Sequence, residues 1–177
     1  MSSEQTQPSR TRPSTSVAHP SRRLLVALPD DYEQARHRYE SLVPVVDHDA
    51  FARATTWEEI LAEAKAQAPH NFLRYHQLDV APTMAGSGSS WPAIEYLMGN
   101  HTIAQRMYRY DPGIMLHAPL RTLLYDAGQG TVLAVDQPSL LFGSYGNTAI
   151  TAVGVELDGL LATLIELLGA QVPAALC

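Results

Sequence analysis

Near its C-terminus the chain carries the pattern that most restricts its fold. From about Thr148 to Leu168, the residues Ile150, Val153, Leu157, Leu160, Leu161, Leu164 and Leu168 recur at three- and four-residue spacing. That spacing makes a long helix with one wide apolar stripe to bury. Gly169 and Pro173 terminate it. Such a stripe needs a broad apolar partner, and the preceding sequence offers strands for one.

Leu24 to Leu28 reads as a buried strand, followed by Asp30 and Asp31 as caps for a helix with Tyr32, Ala35, Tyr39 and Leu42 on one face. Val43 to Val46 reads as a short second strand ending at Asp47-His48. Thr56-Trp57-Glu58-Glu59 is a capping box. The helix it opens carries Trp57, Ile60, Leu61, Ala64 and Ala68 on one stripe and stops at Pro69. Phe72 to Val80 is a strand of mixed pattern, Thr83 to Pro92 a Gly- and Ser-rich loop, and Ile94 to Met98 another strand. Asn100 then caps a helix expected to bury Ile103, Met107 and Tyr110 before Asp111-Pro112. Leu120 to Tyr125 and Thr131 to Val135 read as a hairpin around Asp126–Gly130, with a short irregular or helical stretch after Pro138. The expected fold is α+β, a mixed sheet of about five to six strands with helices packed on it and a long C-terminal helix. Residues 1–22 are expected as a disordered tail, 23–172 as a single domain and 173–177 as a short tail.

A formal net charge of −6, with basic residues concentrated at the N-terminus, argues against nucleic acid as a partner, because phosphate binding needs clustered Lys and Arg. The single cysteine, Cys177, leaves no internal disulfide, CxxC pair or cysteine-rich zinc site, so a reducing, cytoplasmic setting is expected. Ser21-Arg22-Arg23-Leu24-Leu25 is superficially like a twin-arginine signal, but the apolar run after it is too short for a signal-peptide core. No apolar run is read as reaching the roughly 20 residues of a membrane span, so no membrane partner is expected.

Three ordered segments together resemble the domain-of-unknown-function 302 family. They are Asp47-His48-Asp49-Ala50, Leu97-Met98-Gly99-Asn100, and Leu116 to Asp126 with its following strand Thr131 to Pro138. The resemblance runs from roughly Leu24 to Leu168. It departs from the family pattern at His101, where a proline usually follows Gly-Asn, and across Phe72 to Pro92, which reads as extra. The resemblance implies a compact α+β fold, often paired as a homodimer, and no agreed activity.

His48, at a strand end, and His101, at a helix start, are the candidate general bases, since a neutral imidazole can move a proton near neutral pH. Asn100 opens a helix whose N-terminal N–H groups suit an anionic group. Arg121, with His117 four positions before it, is a candidate carboxylate clamp. Tyr96 and Met98, with Met115 and Leu116, are expected to line a pocket between sheet and helices. His48, His76, His101 and His117 could meet at a metal or a haem iron, although none has local ligand spacing and no motif specifies a cofactor. Gly86 to Ser90 lacks the Lys of a P-loop, and no G-x-S-x-G elbow is present.

Three function classes remain. One is a small-molecule-binding domain around His48, Asn100 and His101. A second is a histidine-based isomerase, cyclase or lyase. The third is an interaction protein that pairs through the stripe of its last helix.

Overall fold

The structure, a computed structural model, describes residues 14–89 and 91–176; residues 1–13 of the expected tail, Ser90 and Cys177 lie outside the described residues. β1 (Arg23–Ala27) leads to α1 (Tyr32–Leu42), whose N-cap Asp31 accepts a hydrogen bond from the Gln34 backbone N–H. α2 (His48–Arg53) is capped by Asp47, and α3 (Trp57–Gln67) starts at the complete Thr56/Glu59 capping box. β2 (Leu73–Asp79), the short α4 (Ala81–Ala85), β3 (Ala93–Gly99) and α5 (His101–Tyr108) follow. A 3-10 turn at Pro112–Leu116 precedes the hairpin of β4 (Leu120–Asp126) and β5 (Thr131–Asp136). α6 (Pro138–Gly143) and α7 (Thr148–Leu167) complete the domain before a last 3-10 turn at Ala174–Leu176.

The strands form one sheet in the order β1-β5-β4-β3-β2, every neighbouring pair antiparallel. The α+β class, the five strands and the long terminal helix match the sequence expectation. The parallel component expected of the sheet comes down to an isolated bridge between Val45 and Arg74. Val43 to Val46 is therefore not a strand: Pro44 in its middle has no N–H to donate, which limits pairing with β2 to this one bridge.

Alternation along the strands sends Leu24, Val26, Ile94, Tyr96, Met98, Leu120, Thr122, Leu124, Leu133 and Val135 to one buried face. The registers Leu24↔Val135, Val26↔Leu133, Leu124↔Leu133 and Tyr96↔Thr122 agree with that assignment. α1 and α7 contribute to the same continuous core. On the opposite face Leu25 is 59% exposed, and Arg121 and Glu95 form an ion pair at 3.4 Å.

α7 buries Ile150, Val153, Leu157, Leu161, Leu164 and Ile165. Each such side chain contributes on the order of 1.5–3 kcal/mol when fully buried. An exposed ion pair contributes at most about 1 kcal/mol, so the seating of α7 on the sheet outweighs every surface charge contact. By length and composition alone α7 could cross a membrane, contrary to the sequence expectation that no segment could. In the fold its stripe is core, and so is not available for pairing two chains.

Two features set where α7 meets α6. A Cβ at Gly154 would come within 3.0 Å of the Phe142 Cβ and 3.2 Å of the Ser139 Cα, so the two helices approach at a residue without a side chain. Four residues on, the buried Asp158 carboxylate accepts from the Ser139 backbone N–H at 2.9 Å and the Gln137 Nε2 at 2.7 Å, capping α6 from a neighbouring helix.

Under α1, Tyr39 stacks on Tyr96 with ring centroids 4.6 Å apart and shares a 2.8 Å hydroxyl hydrogen bond with Thr122. The Tyr96 hydroxyl donates to Glu40 at 2.8 Å, and Arg36 donates to the same carboxylate at 3.1 Å. The buried Arg74 guanidinium lies 3.6 Å from Glu40 and donates to the Val43 carbonyl at 2.7 Å. Partial burial opposes ionisation of Glu40, but these donors outweigh it and hold its pKa below the ordinary value.

Other expectations fail locally. The start of the Gly- and Ser-rich stretch is helical as α4, because Pro82 sits in the first turn, where its missing N–H costs nothing. On α3 only Ala64 is buried, and Trp57 and Leu61 are 40% and 44% exposed, since α3 packs at the sheet's end and not across its face. Tyr110 is exposed because α5 ends before it.

Gly154→Leu is expected to overpack the α6–α7 crossing and lower stability by about 1–3 kcal/mol in urea denaturation. Glu40→Ala, which leaves the Tyr96 hydroxyl without its acceptor and takes away the carboxylate that faces the buried Arg74, is expected to lower it by about 1.5–3 kcal/mol in the same assay.

Candidate functional site

One end of the sheet holds a cavity of about 190 Å³. Its floor is apolar and buried: Phe72, Met107, Leu120, Phe142 and Leu157. Ile103 and Ala104 of α5 form one wall, while Met115, Ala118 and Pro119 form another. The Ala118–Pro119 peptide is cis. Arg106 of α5 makes a bidentate pair with Glu156 of α7 at 2.7 and 2.8 Å, which ties the α5 wall to the helix that supplies Leu157.

The polar end is built by three elements. β2 contains a bulge between Arg74 and His76, so that Arg74 pairs with Met98 and His76 with Leu97, and Tyr75 is the extra residue. This displacement presents Tyr75 to α5, where its hydroxyl and the His101 Nδ1 lie 2.8 Å apart. The Tyr75 and His101 rings meet edge to face at 4.9 Å, and Phe51 of α2 covers His101 at 4.7 Å. His48 lies 6.2 Å from the Tyr75 ring. Gly99 brings the end of β3 against Pro119, whose Cα lies 3.4 Å from where a Cβ would sit.

The stretches around residues 48, 100 and 119 are thus neighbours, with Tyr75 between them. Burial pushes the Tyr75 phenol up to about 12, against the opposing effect of the His101 backbone beside it. Removal from water, together with the nearby His48, holds the His101 imidazole below its ordinary value. Both shifts favour the uncharged form.

The remaining expected residues divide. Asn100 lines the cavity, but its side-chain oxygen accepts from the Thr102 N–H and hydroxyl at 2.9 and 2.8 Å, and its amide donates to the Asn71 carbonyl at 3.0 Å. It acts as a helix cap that also ties the loop between α3 and β2. Tyr96 and Met98 do not line the cavity: alternation on β3 turns both into the core beneath α1. Arg121 projects from the opposite face of the sheet to Glu95, because its neighbour Leu120 takes the inward position.

His117 lines a neighbouring cavity of about 580 Å³ with His19, Leu116 and Arg121. There burial and the adjacent His19 lower its pKa, although Asp136 acts in the opposite sense. His76 is exposed beside Leu97 on the sheet's other face. Among the described residues, no three His, Cys, Asp or Glu side chains form a group that could hold a metal ion.

Sequence reading missed Tyr75, Phe72, Phe51, Ile103, Met107, Phe142 and Leu157 as site residues. The signal for Tyr75 was present as the broken alternation across Phe72 to Val80, which is what a bulge leaves in a sequence.

An imidazole with a lowered pKa in the fold binds its proton less readily than it does in the unfolded chain. The stability it contributes is therefore present above about pH 6.5 and is lost as pH falls from there toward the folded value. Thermal melts stepped from about pH 7.5 to about pH 5.5 are expected to show a falling Tm, shared between His101 and His117. His101→Gln is expected to make the fall shallower; an unchanged slope would remove His101 from this account.

The chain matches the family model described as Domain of unknown function DUF302 over residues 51–168, a span that begins after Asp47 and His48. No curated protein matches the chain. Among solved structures, it is similar to an uncharacterised conserved DUF302 protein from Bacillus stearothermophilus, with a TM-score of 0.61 and 16% sequence identity. The similarity covers 82% of this chain and 96% of that one, and it establishes the fold alone. With a family match that takes in well over half of its length, from α2 through α7, the chain belongs to the domain-of-unknown-function 302 family.

Proposed function

We propose that the protein binds a small, mainly apolar organic molecule in the cavity between α5, α6, α7 and the Met115–Leu120 segment, with the molecule's polar end at Tyr75 and His101. The observation that carries this reading is the combination of a buried apolar floor with a single hydrogen-bonded polar pair at its edge. That is the usual composition of a ligand pocket, mostly apolar with a few placed polar groups. At about 190 Å³ the cavity is somewhat larger than an engineered 150 Å³ cavity that takes up benzene. It is smaller than the ~300 Å³ at which pockets for drug-sized molecules begin. A single ring or a short branched chain is the size that fits.

The Tyr75–His101 hydrogen bond also favours a second reading, a histidine-based isomerase, cyclase or lyase. His101 would act as the base, with Tyr75 orienting the ring through Nδ1. His48, one side chain further out, would serve as a second proton carrier. A homodimer, as the family resemblance implies, would use the open face of the sheet around Leu25, since the α7 stripe is committed to the core.

Thermal melts with toluene or indole test the binding reading. At 100 times its Kd such a probe is expected to stabilise the protein by about 2.7 kcal/mol, visible as a rise in Tm. Ala104→Trp, which fills the cavity from the α5 wall, is expected to abolish the rise. A rise that persists in that variant would place the ligand elsewhere.

A further inference from the structure

Among the described residues, none of the side chains around the cavity is an Asp, Glu, Lys or Arg. Arg121, the residue expected to clamp a carboxylate, points away and is paired with Glu95. The polar groups that remain are Asn100, whose side chain is engaged by Thr102 and Asn71, and the Tyr75–His101 pair. We propose that the cavity selects an uncharged, ring-sized molecule bearing one hydroxyl or carbonyl group, and rejects carboxylates and ammonium ions of the same shape. This rests on the cavity being the ligand site.

The bonding of the pair supports this class in either tautomer. If the Tyr75 hydroxyl donates to Nδ1, then Nε2 carries the proton and donates onward, while the phenolic oxygen keeps a lone pair. If Nδ1 donates to Tyr75, then Nε2 accepts and the phenol donates. Both arrangements offer one donor and one acceptor with no net charge, which matches a hydroxyl fully and a carbonyl by its donor. Burial disfavours ionisation of the phenol and, with His48, protonation of the imidazole. A carboxylate would lose its water against an apolar floor and meet one neutral donor in return, and an ammonium one neutral acceptor. Neither exchange restores what hydration supplied.

Four probes that share a ring separate the possibilities: toluene, phenol, benzoate and benzylamine, titrated into the full chain at about pH 7.5 by calorimetry, where the last two are charged. Phenol is expected to bind roughly three- to tenfold more tightly than toluene, the net worth of one hydrogen bond. Benzoate and benzylamine are expected to bind at least about tenfold more weakly than phenol. His101→Phe and Tyr75→Phe should erase the margin by which phenol binds more tightly than toluene. Benzoate or benzylamine binding as well as phenol would overturn the selectivity while leaving the cavity a binding site. Equal affinity for phenol and toluene would overturn the role of the pair. No binding of any of the four would overturn the binding site itself. The ranking in the unsubstituted protein decides the matter even if a variant folds poorly.

Discussion

The burial of one face of α7 against one face of an antiparallel sheet organises everything else in this domain. One side of this five-stranded sheet is open, with Leu25 exposed and Arg121 paired to Glu95, and the continuous apolar core forms on the other side, where α1 and α7 share it. α5 and α6 add Met107 and Phe142 to that core at one end of the sheet. α5 is tied to α7 by Arg106–Glu156, and α6 is pressed to α7 at Gly154 and capped by Asp158. The cavity is the space left where these helices, the end of β3 and the Met115–Leu120 segment meet. Its walls are therefore continuous with the core: Leu157 and Phe142 belong to both.

Two tyrosine systems, one between α1 and the sheet and one at the end of β2, show how environment separates a structural phenol from one that faces a cavity. Tyr39 and Tyr96 stack in the core, with hydroxyls fixed by Thr122 and Glu40, and burial raises both phenols far above their ordinary value. Their polar atoms are satisfied internally and hold α1 to the sheet. Tyr75 has its ring packed against the small Val46, Ala68, Leu73 cluster, but its hydroxyl faces a histidine at the edge of a cavity. Residue type alone does not distinguish these three.

That difference explains what could be read in the sequence. The α7 stripe, the β4–β5 hairpin and the Thr56 capping box are local patterns, with spacing tied directly to geometry, and they appear in the structure as expected. His48, Asn100 and His101 were legible as residues at element junctions, and the structure brings their segments together. Tyr96, Met98 and Arg121 were misplaced because their roles depend on the phase of alternation on β3 and β4. A shift of one position along a strand exchanges core for surface. Phe142 and Leu157 were invisible as site residues because only the packing of α6 on α7 carries them to the cavity.

The bulge in β2 has a consequence for how such a site can change over time. A residue in regular alternation answers to the ladder and to whichever face it occupies, so its replacement disturbs the layer beneath. Tyr75 stands outside that alternation, and its contacts are with His101, His48 and one minor cluster, not with the main core. A change of side chain at this one inserted position therefore alters the edge of the cavity without renegotiating the main core.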